Sequence, residues 1–227
     1  MTYYYVVTHK GMIEQIQKAS DKNKNKIPTK MRHHCFDYLA RLIRKEMPRL
    51  VPSVGPVMTL LKSVVRHCNE QDKAVLWYTP AGFPVIQDNR HYPSRTVKTE
   101  LYGDIVALSY KDFETPGTLN TREQQNSISA NFIHSLDASA MMLCVLACQQ
   151  EGVQAFRMIH DSFATVPAHM DILSRLLRKT FKDIYLKDIL KVFIIQTLGS
   201  EHPLINSIPK SGTLDLNQLL KSKYFFA

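Results

Sequence analysis

The sequence predicts an α+β fold, mostly helical around a small antiparallel sheet. Three observations carry that expectation. Residues 121–151 hold the longest run of helical spacing, with Ile128, Phe132, Leu136, Leu143 and Ala147 forming one apolar stripe. β-patterned runs occupy 73–110 and 153–167, one on each side of that helix. Turn residues break those runs at short intervals, which suits hairpins better than parallel crossovers. The expected organisation is a helical segment over 1–70, followed by a sheet-and-helix segment over 71–227.

The chain has 227 residues, 44% hydrophobic and 22% charged, so it can bury a substantial core and is globular in composition. Its net charge of +9 favours an anionic partner, nucleic acid first, with a merely basic globular protein as the plain alternative. Cys35, Cys68, Cys144 and Cys148 form no CxxC pair and no zinc spacing. Cys144 and Cys148 lie one helical turn apart in an apolar run, as buried free thiols in a reducing compartment would. No continuous apolar run reaches the roughly 18 residues of a membrane span, so no membrane partner is expected. Neither a signal peptide nor an Arg-rich transit peptide opens the chain, so a protein working in an organelle is expected to be made there.

Taken in order, Met1-Thr2-Tyr3-Tyr4-Tyr5-Val6-Val7 has no cap before it and reads as the middle of an element. Gly11 is expected to interrupt it, after which Met12, Ile13, Ile16 and Ala19 carry helical spacing. Lys22, Lys24, Lys26 and Lys30 around Pro28 read as a basic loop. A second helix follows over 31–48 through Phe36, Leu39, Ala40, Ile43 and Met47. On it His33 and Asp37 are i,i+4 neighbours, a spacing that fits a helix-surface pair or a metal site. Pro52, Gly55 and Pro56 mark a break before a third helix at 57–69. Val75–Thr79 and Phe83–Ile86 flank Pro80-Ala81-Gly82 and predict a hairpin, and further strands are expected at 95–101 and 104–110.

The long helix carries a second stripe, Gln124, Ser127, Asn131, His134 and Ala138, at spacings of 3,4,3,4. Between Glu123 and Glu151 the helix has no Lys, Arg or Glu. Small neutral hydrogen-bonders suit a surface that touches something polar and partly buried, such as a base pair or sugar edge; an ordinary solvent face is the alternative. Next, two short β-prone runs flank His160-Asp161-Ser162 and predict a hairpin with His160 and Asp161 at its tip. A carboxylate there can hold a metal or merely close an Asx-type turn. Residues 170–185 form an amphipathic helix with Arg175, Arg178, Lys179 and Lys182 on its polar side, followed by helical segments near 189–194 and 214–220. The apolar end, Tyr224-Phe225-Phe226-Ala227, is expected to dock into the core.

Nucleotidyl transfer needs two divalent metals about 3.5–4 Å apart, held by carboxylates from separate chain segments. Asp161 can supply one; Asp37, Asp88, Asp104 and Asp137 have no context that recommends them as the other. Asn131-Phe132-Ile133-His134-Ser135-Leu136-Asp137 and Met158-Ile159-His160-Asp161-Ser162-Phe163 closely resemble the single-subunit, phage and mitochondrial type DNA-directed RNA polymerases. Trp77–Val85 resembles that family's W-x-T-P-x-G-F-P-V hairpin, and Phe225-Phe226-Ala227 its aromatic C-terminus. The blocks follow the family order and cover only the C-terminal part of such an enzyme.

The resemblance implies a palm and fingers portion, with 1–70 derived from the fingers and 71–227 from the palm. It makes Asp161 the second Mg²⁺-binding aspartate, sets His160 beside the primer end or incoming ribose, and turns Asn131, His134 and Ser135 toward the template–product duplex. Tyr5 falls where the family uses a tyrosine to select ribonucleotides, although Val6 stands in place of the family's glycine. Ser162 favours the RNA enzyme over a related DNA-making polymerase, where Glu is expected. DNA template, RNA product and ribonucleoside triphosphates are the implied partners, in a mitochondrion, from a gene of the organelle or of a linear plasmid. The family's first catalytic aspartate and its triphosphate-binding Arg and Lys precede Met1, so the chain alone is expected to be inactive. A truncated gene, a split gene with a separately encoded upstream fragment, and a non-catalytic nucleic-acid-binding remnant all fit. A hydrolase using His160 and Asp161 with His33 and Asp37 rests on residue type alone.

Overall fold

The computed structural model describes residues 8–22, 28–115, 117–159 and 161–225. Tyr5, Val6, Lys24, Lys26, His160, Phe226 and Ala227 lie outside the described residues.

Helix α1 spans His9–Lys22 and α2 spans Thr29–Leu50. Gly11 does not interrupt the first helix: the Thr8 hydroxyl accepts the Gly11 N–H at 3.1 Å, capping the opening turn. The two helices pack together, joined by His9 Nε2 to Asp37 at 2.7 Å and Arg32 to Asp21 at 2.9 Å. Residue 30 belongs to the first turn of α2, not to a loop. Helix α3, Val54–Glu70, takes in Gly55 and Pro56, since proline is tolerated in a first turn. Its buried face is Leu60, Leu61, Val64, Val65 and Cys68.

Among the described residues six strands follow the expected order, but as three separate two-stranded antiparallel sheets, not one. Strands β1, Val75–Tyr78, and β2, Pro84–Gln87, close through Thr79, whose carbonyl accepts the Gly82 N–H at 2.8 Å. Strands β3, Ser94–Leu101, and β4, Asp104–Lys111, pair along their full length around Tyr102-Gly103 and stay exposed on both faces. Strands β5, Phe156–Ile159, and β6, Ser162–Thr165, form the third hairpin. β2 packs against the long helix and β6 against the helix that follows it, and the three hairpins do not pair with one another.

Helix α4 runs over Thr121–Gln150. Asn120 caps it, its Oδ1 accepting the Glu123 N–H at 3.1 Å and its Nδ2 donating to the Glu123 carboxylate at 2.9 Å. After the amphipathic helix α5, Met170–Tyr185, come α6, Ile189–Leu198, and the single turn α7, Gln218–Lys221. Two cores share α4. One joins Leu61 and Val64 of α3, Trp77 of β1, Ile128 and Phe132 of α4, and Phe193 and Ile194 of α6. The other joins Cys144, Cys148 and Val153 to Leu173, Leu176 and Leu177 of α5. By length and composition α4 passes for a membrane span, contrary to expectation, because small polar residues only dilute an otherwise apolar sequence and Asp137 is the single Asp, Glu, Lys or Arg between Glu123 and Glu151. Here it is the central helix that both cores require.

Candidate nucleic-acid interface

One face of α4 carries two adjoining grooves. The first, 410 Å³, lies against the β1–β2 hairpin and is lined by Thr79, Phe83, Asn131, His134, Ser139 and Met142 among others. The second, 460 Å³, lies against β5 and is lined by His134, Asp137, Ala138, Met141, Met158 and Ile159. His134 and Ala138 line both, so they form a continuous surface from one hairpin to the other. A larger apolar cavity of 580 Å³, lined by Val57, Leu61, Phe132, Ile133 and Leu136, sits on the opposite side of α4.

The upper stripe of α4 is used internally, which corrects part of the sequence reading. Gln124 is fully buried, and Gln87 Nε2 donates to its carbonyl at 2.8 Å and to its Oε1 at 2.6 Å. Gln124 Nε2 returns a bond to the Gln87 carbonyl at 3.0 Å. Asn131 Nδ2 donates to Gln87 Oε1 at 2.8 Å, and Asn89 Nδ2 to Ser127 Oγ at 2.9 Å. Ser135, expected to face a duplex, is buried: its hydroxyl accepts the Trp77 indole N–H at 3.1 Å and donates to the Phe132 carbonyl at 2.7 Å. These groups dock the β1–β2 hairpin onto the helix. His134 remains exposed at the junction of the grooves.

Asp161 is exposed in the turn between β5 and β6, with Ile159 and Ser162 paired beside it. The inward side of that hairpin, Phe156, Met158 and Phe163, packs on the second core. This fixes the strands while leaving the turn open. Among the described residues no group of three or more His, Cys, Asp or Glu side chains is placed to hold a metal ion. Asp161 has the hard oxygen donor that Mg²⁺ takes, but as a single carboxylate it fits part of a site only. Asp37 is engaged elsewhere, by His9 and by Arg41 at 2.9 Å; the His9 hydrogen bond, helped by the Arg41 charge, holds its carboxyl below the usual range. Asp88 pairs with Arg90 at 2.8 Å and Asp112 with Arg95 at 2.7 Å. A hydrolytic site built on Asp37 and His33 therefore has no support.

Asp137 is the carboxylate that the sequence reading passed over. It lines the groove with His134 and with Met158 and Ile159, at the end of β5 that leads to Asp161. Its spacing of three from His134 puts the two on one helix face, and that was the legible signal.

The family model of DNA-dependent RNA polymerase matches residues 1–201. The chain belongs to that family. Its polymerase relatives include the mitochondrial DNA-directed RNA polymerase 1 of Arabidopsis thaliana, 31% identical over the whole of this chain and 22% of the relative. The chloroplastic DNA-directed RNA polymerase 3 of Nicotiana sylvestris is 30% identical, again over the whole chain and 22% of its own length. DNA-directed RNA polymerase 2A of Nicotiana tabacum is 29% identical, with 66% of its length covered. The chain thus spans about a fifth of the first two polymerases, and an α+β architecture of helices and small antiparallel sheets is what this C-terminal polymerase region adopts here.

Proposed function

We propose that this chain is the C-terminal, palm-bearing part of a single-subunit RNA polymerase acting in DNA-templated RNA synthesis by a two-metal mechanism. The observation that carries the reading is the groove along α4: His134 and Asp137 lie beside β5, and Asp161 stands exposed at the end of that hairpin. Residues 1–70 would derive from the fingers and 71–227 from the palm, although α3 packs across that division into the core of β1 and α4.

Asp161 would hold one of two Mg²⁺ ions, which when bound would divide the work, one easing attack by the primer hydroxyl and the other steadying the departing pyrophosphate. The rigid base under the β5–β6 hairpin keeps the carboxylate in place without reorganisation. His134 presents ring nitrogens to a base or sugar edge of a template–product duplex. Asn131 holds the wall of that groove through Gln87, and Ser135 supports it through Trp77. His160 would sit by the primer end or incoming ribose and Tyr5 by the ribose during selection. DNA, RNA and ribonucleoside triphosphates are the proposed partners, joined by an upstream polymerase fragment if the gene is split rather than truncated or a remnant. A mitochondrial setting is in line with the organellar relatives.

The test is primer extension on a DNA template with ribonucleotides and Mg²⁺. The purified chain should not extend RNA, because one carboxylate leaves the metal with mostly water ligands. Adding an upstream fragment with the first aspartate and the fingers helix should restore extension, and Asp161→Asn should abolish it in that mixture. His160→Ala should weaken extension or nucleotide affinity and spare metal binding. Retained activity of Asp161→Asn would overturn the palm assignment. A second reading, a nucleic-acid-binding remnant, follows from the single carboxylate described at the hairpin tip; duplex binding without extension in the mixture would establish it instead.

A further inference from the structure

We infer that Arg178 is a positioning residue, clamping the C-terminal segment so that Phe225 props the hairpin carrying Asp161. Arg178 lies half-buried on α5, and its Nη1 donates to the carbonyls of Leu219 at 3.0 Å and Ser222 at 2.6 Å. The same guanidinium sits over the Phe225 ring, 5.2 Å from its centroid. Phe181, one turn along α5, meets Phe225 edge to face at 5.4 Å. One side chain thus holds the segment by its backbone and by its aromatic ring.

What Phe225 touches gives the clamp its consequence. It packs on the core of Leu173, Leu176 and Leu177, the cluster that also receives Phe156, Met158 and Phe163. Those three form the inward side of the β5–β6 hairpin, Met158 directly opposite Phe163. Phe163 is two residues from Asp161. A two-stranded hairpin is marginal by itself, so its position depends on the surface beneath it. Here that surface is the Leu173, Leu176 and Leu177 core, which Phe225 also packs against and helps to close. The planar, forked guanidinium suits two carbonyls and a ring face together; lysine cannot reproduce that set.

The structural half of this inference stands without the polymerase reading, and only its effect on extension rests on that reading. Hydrogen exchange of the 227-residue chain tests the first half. Arg178→Ala should speed exchange about tenfold in 156–165 and 219–225, leaving the distant 94–111 hairpin unchanged as control. Arg178→Lys should restore less than half of that protection. Should Arg178→Ala unfold the chain, Phe225→Leu carries the test, since it removes the ring and keeps the apolar filling. In the reconstituted assay both variants should lower kcat about tenfold with KM for ribonucleotide within about twofold, the split expected when the reacting geometry is misplaced and substrate binding is not. Wild-type exchange over 156–165 in Phe225→Leu would overturn the inference. So would lowered extension with KM rising in step. Loss of the palm assignment through an active Asp161→Asn would leave the exchange result untouched, so the two failures are distinguishable.

Discussion

Trp77 and Ser135 show how a single pair decides what a residue is for. Trp77 is 2% exposed, and its indole N–H has the Ser135 hydroxyl as acceptor. Ser135→Ala strands that buried donor, which should cost about 1–3 kcal/mol of unfolding free energy. Because Trp77 is the single tryptophan, fluorescence-detected urea unfolding reads the change at the site itself. Asp161→Asn, at an exposed turn, should leave the unfolding midpoint within error of wild type. The buried thiols make a second test. Burial, with Cys148 beside it, pushes the Cys144 thiol up to about 12. The unfolded thiol ionises near ~8.5. Its raised value means the folded state keeps a proton that the unfolded chain releases, so stability is fully present below that range and falls as pH rises through it. Melting temperatures between pH 8 and 11 should therefore fall more steeply in wild type than in Cys144→Ala. An equal slope would show that Cys144 is not the group responsible.

Helix endings set where the functional hairpins point. α4 stops in a motif in which Val153 N–H bonds to Cys148 O at 3.0 Å and Gly152 N–H to Gln149 O at 3.0 Å. Gly152 takes φ 84°, and a Cβ there would meet nothing within 4 Å. The cost of Gly152→Ala is thus purely conformational, about 1 kcal/mol for an L-residue in the left-handed region. Since Val153 is fully buried on Cys148 and leads into β5, the variant should also raise exchange in the β5–β6 hairpin before global unfolding. Uniform exchange across the chain would show that the cap does not govern that hairpin. At Tyr102-Gly103 the same conformation is adopted by a tyrosine at φ 55°, in a two-residue turn that prefers asparagine or glycine there.

At the scale of the whole molecule, the net charge of +9 suits phosphate binding. Several of the 29 Lys and Arg side chains are already engaged: Arg175 with Glu151, Arg178 with two carbonyls, Arg41 with Asp37, Arg95 with Asp112. Binding to a DNA–RNA duplex should still weaken linearly in log Kd against log salt, with a slope near ~0.9 per phosphate contacted. We expect that slope to correspond to fewer phosphates than the basic residue count suggests. A titration flat from low to moderate salt would remove the electrostatic contribution.

The sequence by itself determined the order and kind of nearly every element, and the turn that exposes Asp161. Those features depend on neighbours within a few residues: apolar spacing, caps such as Asn120, and turn residues such as Gly82. It also marked the uncharged stripe of α4 as a surface meeting something polar. What that partner was could not be read locally. Asn131 finds Gln87 across 44 residues and Trp77 finds Ser135 across 58, so part of the stripe became a buried hairpin joint and His134 was left at the groove. Tertiary structure likewise decided that the described strands stay in three hairpins, that Asp137 lies beside β5, and that Phe225 packs on the same core as the hairpin that carries Asp161. A hydrogen-bonding or apolar side chain announces in sequence that it needs a partner, but only the packed chain selects one.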